Sequence, residues 1–236
     1  MIKPIVAEAD FMINGFYKFK LFGQELYITT THISLLLISI VFLIFVFAAK
    51  KVLLAAQADT APKGFQNFVE LIVEFIDNMV QGIMGENGSR FRNYIGALFM
   101  FLILSNLSGL FGLRPPTADY GVTLPLGLIT FGIIHYNGIK KNKVKHFTSL
   151  FEPFALLFPI NLIGEVAVPL SLSLRLFGNI LSGTVMMGLI YGMLPLLVKL
   201  GMPAALHVYF DIFSGCIQTY VFCMLTMVYV NDKISD

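Results

Sequence analysis

Charged residues are scarce in this 236-residue sequence. They make up 13% of the chain, while 57% of the residues are hydrophobic and the mean hydropathy is +0.80. A soluble domain usually has roughly 25% charged residues. A soluble core could not bury this much apolar surface, so lipid must cover part of it. The composition therefore excludes an ordinary soluble domain and predicts an integral membrane protein.

An excess of charge of either sign is also lacking, because the formal net charge is only +2. The sequence has no stripe of basic and aromatic residues of the kind that follows a phosphate backbone, so we expect no nucleic-acid partner. It has no glycine-rich phosphate loop ending in Lys-Ser or Lys-Thr. The sequence therefore gives no indication of a nucleotide-phosphate site in this chain.

Cysteine is nearly absent. Cys216 and Cys223 are seven residues apart in one apolar segment, which in a helix separates them by about 10 Å along the axis, too far for a disulfide. No Cys/His cluster has the spacing of metal ligands. We expect both cysteines to be small buried apolar residues, and we expect no metal and no cofactor.

Long apolar runs are what the sequence does contain. They predict an all-α, polytopic membrane protein with about five membrane-crossing helices, one amphipathic surface helix, and a long, tilted final pair of helices. Residues 1–30 carry several charges and do not resemble a cleavable signal peptide. We expect them to form an N-terminal segment, which the distribution of basic residues described below places outside. Residues 31–236 form the membrane domain. The predicted spans are about 31–50, 93–113, 122–138, 151–197 and 203–230, and the amphipathic helix is 62–84.

The amphipathic helix differs from the spans because acidic residues interrupt its apolar face. Glu70, Glu74 and Asp77 lie between apolar side chains that recur at helical spacing. Such a helix lies along a surface rather than crossing the membrane. Its acidic polar face favours packing against protein over binding to anionic lipid.

The fourth run is too long for an ordinary crossing. As one α-helix, residues 151–197 would reach about 70 Å, more than twice the hydrocarbon thickness. We therefore expect this segment to be strongly tilted, to break at Pro153, Pro159 or Pro169, or to turn back within the membrane.

Basic residues are distributed unequally between the two sides of this topology. With the N-terminus outside, Lys50, Lys51, the cluster beginning at Lys140, and Lys233 all fall on the cytoplasmic side. Short loops rich in Lys and Arg stay in the cytoplasm. The asymmetry predicts an external N-terminus and a cytoplasmic C-terminus.

Ionisable residues within lipid-depth helices are functional candidates by default. Arg175 is the most informative of these residues. Long apolar stretches on both sides keep its side chain from reaching the membrane–water interface, and its guanidinium stays protonated. No acidic residue lies three or four residues from Arg175 in the sequence. Asn179 lies four residues after it. A fixed partner would make Arg175 a structural tie, and a partner on a moving subunit would make it an electrostatic gate.

Acidic residues lie on both sides of Arg175 in depth. With the topology above, His207 and Asp211 lie towards the outside, and Gln218 lies near mid-membrane, close in depth to Arg175. His207, Asp211, Ser214 and Gln218 follow at spacings of four, three and four, which aligns them on one α-helical face over about 16 Å. Glu165 lies ten residues before Arg175, about 15 Å nearer the cytoplasmic face. This pattern predicts two offset half-channels separated by a permanent cation, which prevents a straight leak of ions.

Two segments resemble the signatures of the a subunit of bacterial F-type ATP synthases. They are Leu-Arg-Leu-Phe-Gly-Asn at 174–179 and Ile-Gln-Thr-Tyr-Val-Phe-Cys-Met-Leu-Thr-Met-Val-Tyr-Val at 217–230. Asn106 and the Pro-Lys-Gly sequence at 62–64 are also similar to that family. The resemblance implies a multi-pass stator of the bacterial inner or plasma membrane. Its partners would be a rotating c-subunit ring, the b subunits of the peripheral stalk, the remaining ATP synthase subunits and membrane lipid.

The resemblance also implies roles for particular residues. Arg175 matches the essential arginine that attracts the deprotonated ring carboxylate, and Asn179 and Gln218 match its polar neighbours. Asp211 matches a position in the external half-channel and Glu165 an acid of the cytoplasmic one. Some members have glutamate where this chain has Thr184, which leaves Asp211 as the carboxylate of the external half-channel, with His207 as a helper.

The subunit so described is not an enzyme by itself. It translocates an ion, with the proton favoured over sodium, and the ion-binding carboxylate would lie on the ring. Two other hypotheses fit the same residues. One is a stand-alone ion-coupled secondary transporter, and the other is a membrane scaffold whose buried polar residues only join helices.

Overall fold

The computed structural model describes residues 15–21, 24–55, 64–143, 148, 154–193 and 202–235. Several sequence-based predictions lie outside these residues. They concern residues 1–14, the Pro-Lys pair at 62–63, the break at Pro153, and the last residues of the long fourth run, 194–197.

The described part of the chain begins with two antiparallel strands that the all-α interpretation did not include. Strand β1, Gly15–Leu21, pairs with β2, Gln24–Thr29. Helix α1 begins at the next residue, where the hydroxyl of Thr29 hydrogen-bonds His32 Nδ1 at 2.7 Å. The charged N-terminal region is thus joined directly to the first crossing helix.

Helices make up nearly all of the remaining described structure. Five are long and apolar enough to cross a membrane, which confirms the prediction of a polytopic, helical membrane protein. The helices are α1 (Thr30–Ala55), α2 (Phe65–Met84), α3 (Arg92–Leu107), α4 (Tyr120–Asn142), α5 (Phe158–Met193), α6 (Met202–His207), a π-helical segment (Val208–Ser214) and α7 (Gly215–Ser235). The last three run on without interruption and together form the fifth crossing.

Helix α2 is the amphipathic element and is not one of those five. It buries one stripe, including Val69, Ile76 and Val80, against α3 and α7. Asp77 on its polar side forms an ion pair with Arg92 at the start of α3, at 2.9 Å. One acid of the polar face, Asp77, therefore contacts a neighbouring helix.

The core is formed mainly by α2, α3 and α7, with residues of α4 and α5 packed against them. Leu102 of α3, Leu176 of α5 and Met227 of α7 have no exposed surface. By contrast, α1 has large exposed apolar side chains such as Phe47 and Leu54 along much of its length. Such a surface requires lipid or another apolar partner around it.

Helix α5 continues through Pro169 without a break, so one of the expected breaks does not occur. Pro159 lies in the first turn, where a proline needs no helical donor. A helix of 36 residues is about 54 Å long, against about 30 Å of hydrocarbon. Of the alternatives open from the sequence, a strong tilt is the one that this length requires.

The contact between α4 and α5 is unusually close at one point. A Cβ atom added at Gly127 of α4 would lie 2.6 Å from the backbone oxygen of Pro169. Small residues at such contacts allow the backbones of membrane helices to approach. Pro169 also lacks an N–H, so the backbone carbonyl of Glu165, four residues earlier, has no helical donor.

Candidate ion pathway

Three contacts show that α5 and the fifth crossing are antiparallel. Glu165 contacts Lys233, Asn179 contacts Ser214, and Tyr191 contacts His207. As the numbering rises along α5, it falls along the partner helix. Side chains on the two helices can therefore be compared in depth.

Arg175 lies on the exposed side of α5, next to exposed Leu174 and Gly178, while Leu172 and Leu176 are buried. Among the described residues, its guanidinium has no carboxylate within 4.0 Å and no hydrogen-bond acceptor. A permanent cation at this position therefore faces away from the core of its own chain. It is open to whatever covers this side of the helix.

The depth of Arg175 follows from one hydrogen bond. Asn179 Nδ2 donates to Ser214 Oγ at 2.6 Å, so these residues are level. One turn back along α5 is Arg175, and one turn forward along the antiparallel partner is Gln218. Gln218 and Arg175 therefore lie at similar depth, as the sequence-based topology had placed them.

A chain of three polar side chains lies farther along α5 towards its C-terminal end. His207 Nδ1 and Asp211 Oδ2 are 2.5 Å apart, and Tyr191 Oη lies 3.0 Å from His207 Nε2. Tyr191 was not among the sequence candidates, because it belongs to the other helix and nothing in its local sequence marks it. A proton can move along such a chain of hydrogen-bonding groups.

This polar chain opens onto a cavity of about 370 Å³. Its lining includes Asp211, His207 and Thr184, together with Arg114 from the segment after α3. A Cβ atom added at Gly109 would lie 3.4 Å from the Asp211 carboxylate, so the backbone passes close to this acid. Arg114 is a residue of this cavity that the sequence analysis did not single out.

The π-helical segment changes the register that the spacing had assumed. A π-helix bonds residue i to i+5, so Val208–Ser214 is not the regular α-helix that the spacing assumed. His207 and Asp211 touch, and Ser214 contacts Asn179 on α5. Because Tyr191 of α5 contacts His207, both His207 and Ser214 face α5.

A second polar group lies near the opposite end of α5. Lys233 Nζ is 2.7 Å from Glu165 Oε1, and His135 Nε2 is 3.8 Å from Glu165 Oε2. These residues come from α7, α5 and α4. Of these residues, the sequence analysis singled out Glu165 alone as a site candidate. Lys233 was considered only as a basic residue near the C-terminus, and His135 lies within the predicted span 122–138.

Glu165 and Lys233 line a cavity of about 640 Å³, which also includes Asn161, Gly164 and Asp232. This cavity shares no lining residue with the cavity at Asp211. Along the axis of α5, Glu165 lies about 15 Å on one side of Arg175. Thr184, which lines the other cavity with Asp211, lies about 14 Å on the opposite side. Two separate polar cavities thus approach the depth of Arg175 from opposite ends.

Asn106 holds the fifth crossing next to the π-helical segment. Its buried side chain donates to Gly215 O and Thr219 Oγ1, each at 3.0 Å, and accepts a hydrogen bond from Thr117 Oγ1 at 2.7 Å. It thereby joins α3, the segment before α4, and the start of α7. Every polar atom of this amide has a partner, as burial requires.

Within the described ranges, no three His, Cys, Asp or Glu side chains gather as a metal-binding group. The polar residues line two separate cavities, and the cation of Arg175 lies between these cavities along α5.

Known proteins match most of this chain. The family model described as ATP synthase A chain matches residues 31–231. The "ATP synthase subunit a, sodium ion specific" of Propionigenium modestum is 38% identical, covering 95% of this chain and 78% of that protein. The ATP synthase subunit a of Listeria welshimeri is 40% identical over 74% of this chain and 81% of its own length. That of Bacillus pumilus is 36% identical with the same coverage of both chains.

Proposed function

This chain belongs to the ATP synthase A chain family, and from that premise we propose that it is the ion-translocating stator subunit of a rotary F-type ATP synthase. It works as a component of the ATP synthase complex, as a multi-pass protein of a bacterial cell membrane. Family membership does not favour the stand-alone transporter or the scaffold.

The observation that carries the mechanism is the position of Arg175. It is exposed, unpaired within the described residues, and lies in depth between two cavities that share no residue. A structural tie would have a carboxylate of its own chain within reach. A gate needs an open cation that a passing carboxylate can meet.

We assign the passing carboxylate to a c-subunit ring against the exposed side of α5. Ala167, Ser171, Gly178 and Ser182 are exposed on that side together with Arg175. Small residues allow another helix to approach closely in a membrane. The b subunits and the other subunits of the complex are assigned from family membership.

Ion movement then has three steps. A ring carboxylate is held as an anion beside Arg175 and receives a proton from Asp211. Tyr191 and His207 pass protons to Asp211 through their hydrogen bonds. Once neutral, it can enter lipid as the ring turns, because burying a neutral acid costs far less than burying its anion. On its return it releases the proton towards Glu165. Arg175 prevents the proton from passing directly between the two cavities.

The direction of this path follows from the proposed orientation, with an external N-terminus and a cytoplasmic C-terminus. The Asp211 cavity then faces outward and the Glu165 cavity faces the cytoplasm. Each elementary charge that crosses gains about 2.3 kcal/mol per 100 mV, which drives rotation. The subunit itself carries out no hydrolysis, since nucleotide chemistry belongs to other subunits.

The proton is the proposed ion, because a His ring between a phenol and a carboxylate relays protons. Sodium is the second candidate, because the Propionigenium modestum relative is named as sodium ion specific. ATPase activity of the purified complex, measured with and without sodium at constant ionic strength, separates the two. Activation by sodium would overturn the proton assignment.

The decisive experiment for the gate is Arg175→Ala in the assembled complex, with Ser182→Ala on the same exposed side as the matched control. We expect the Arg175 variant complex to assemble and to lose coupled ATP-driven pumping. Its passive proton leak should be higher than that of Ser182→Ala, which should pump normally. Assembly is checked by subunit content, and pumping and leak are measured separately in vesicles. Normal pumping by the Arg175 variant would rule out the gate.

A further inference from the structure

A third polar cavity lies apart from the ion pathway, at the ends of α3, α4 and α7. Its volume is about 500 Å³, and its charged lining residues are Arg90, Lys140 and Lys141 with one acid, Glu86. We propose that this cavity binds the phosphate of an anionic phospholipid headgroup. The proposal does not depend on the gate function of Arg175.

The cavity lies at the boundary where the crossing helices end. The apolar part of α3 begins at Arg92, that of α4 ends at Lys141, and that of the fifth crossing ends at Ser235. A headgroup phosphate occupies this level of a membrane. Basic pockets between helices on the cytoplasmic side, where the proposed orientation places this one, recognise anionic headgroups.

Two of the three cations are available for a ligand. Lys141 Nζ already donates to the backbone oxygen of Ile234 at 2.5 Å. The Arg90 guanidinium lies over the ring of Phe91 at 5.8 Å, which leaves its edge donors free, and Lys140 has no partner among the described residues. An Arg fork beside a Lys point charge suits a phosphate diester.

Lipid rather than an acidic peptide is the occupant because apolar surface adjoins the basic groups. Tyr136 and Ile139 are exposed on α4, within about one turn of Lys140. Acyl chains attached to a phosphate in the cavity can lie along these side chains. Asn87 and Ser89 from the segment before α3 also line the cavity and add hydrogen-bond donors for the phosphate oxygens.

The test uses the whole complex in phosphatidylcholine vesicles that contain a small fraction of lipid with a photoreactive headgroup, either phosphatidylglycerol or phosphatidylcholine. Cross-linked peptides are identified by mass spectrometry. We expect phosphatidylglycerol, but not phosphatidylcholine, to label the peptides containing residues 86–91 and 137–141. Equal labelling by the two lipids would overturn the proposal.

Charge variants make the test quantitative. Each basic group near an anionic surface contributes about 1 kcal/mol, so Lys140→Gln or Arg90→Gln alone should lower phosphatidylglycerol labelling about fivefold and the pair about thirtyfold. Glu86→Gln should raise it. Lys143→Gln is the matched control, because Lys143 follows the same helix but does not line the cavity, and it should change labelling little.

Competition identifies the source of the phosphate. Unlabelled phosphatidylglycerol should abolish the labelling, whereas inorganic phosphate at millimolar concentration should not. Protection by inorganic phosphate, or by an acidic partner segment cross-linked at this cavity in place of lipid, would reject the lipid assignment. The single variants should retain ATP-driven pumping, so failure here is distinguishable from failure of the gate.

Discussion

Lys233 Nζ lies 2.7 Å from Glu165 Oε1, although 68 residues separate the two along the chain. This contact joins the end of α7 to the first part of α5 and fixes that end of the antiparallel pair. Because both side chains are largely buried, with 25% and 19% exposed, the pair is protected from screening by salt. Its two members should therefore act as a unit.

We expect Lys233→Gln and Glu165→Gln each to slow ATP-driven pumping, and the double variant to be no slower than the slower single variant. The reason is that either single change leaves a partly buried charge without its partner. Pumping is measured from the initial rate of acidification of inverted vesicles. Glu74→Gln, at an exposed position of α2 that lines neither polar cavity, is the control. If pumping in the double variant were slowed by the product of the two single effects, the residues would act independently.

Asp211→Asn should lower pumping by about 100-fold or more, because it removes the carboxylate that we propose exchanges protons with the ring, and positioned acid–base groups contribute at least that much. Rotation-independent ATPase activity of the detached catalytic part should be unchanged. The two rates are measured on the same preparation. A pumping rate within a few-fold of the unchanged protein would remove Asp211 from the external pathway.

Tyr191→Phe should slow ATP-driven pumping less than Asp211→Asn does, by about tenfold at most. The reason is that water in the adjoining cavity can replace one hydroxyl in a proton chain. The matched control is Tyr209→Phe, at an exposed tyrosine of the π-helical segment that makes no contact with His207 among the described hydrogen bonds. The comparison uses pumping rates at saturating ATP. Equal rates for the two variants would exclude Tyr191 from the relay.

Asn106→Ala should destabilise the membrane domain by about 2 kcal/mol, because it removes three hydrogen bonds from a buried position and leaves Thr117 without its acceptor. Asn93→Ala, at an exposed position of the same helix, should have little effect. The amount of subunit retained in the membrane and its thermal denaturation after solubilisation provide the measurement. Similar behaviour of the two variants would contradict the structural role of Asn106.

Gly127→Ala should force α4 and α5 apart, because its new Cβ would meet the Pro169 oxygen at 2.6 Å. Overpacking of this kind costs about 1–3 kcal/mol. Gly132→Ala on the same helix, where a Cβ meets nothing within 4 Å, is the control and should be neutral or slightly stabilising. Thermal denaturation of the two complexes compares them, and a Gly127 variant as stable as the Gly132 variant would refute the close contact.

The crossing helices could be predicted from the sequence because each is an apolar run that only lipid can cover. Arg175 stood out for the same reason, since a guanidinium within such a run is costly wherever it lies. The strands at Gly15–Leu21 and Gln24–Thr29 were missed, although Lys18 and Lys20 alternate with apolar residues, which is a strand pattern.

The partners of the site residues could not be predicted, because they depend on the register between distant helices. Nothing near Glu165 indicates that Lys233 or His135 will lie beside it, and nothing near His207 indicates Tyr191. The π-helical turn likewise has no sequence signal, and the spacing of His207, Asp211 and Ser214 suggested a regular α-helix instead.

The π-helical segment has a consequence for how this helix tolerates changes in length. A π-turn accommodates one residue more than the α-helix around it, so a one-residue deletion within Val208–Ser214 can be absorbed by reverting to α-helix. The same deletion in α7 would rotate every later side chain, including Lys233, away from its partner. Homologous chains that differ by a single residue in this crossing should therefore carry the gap here.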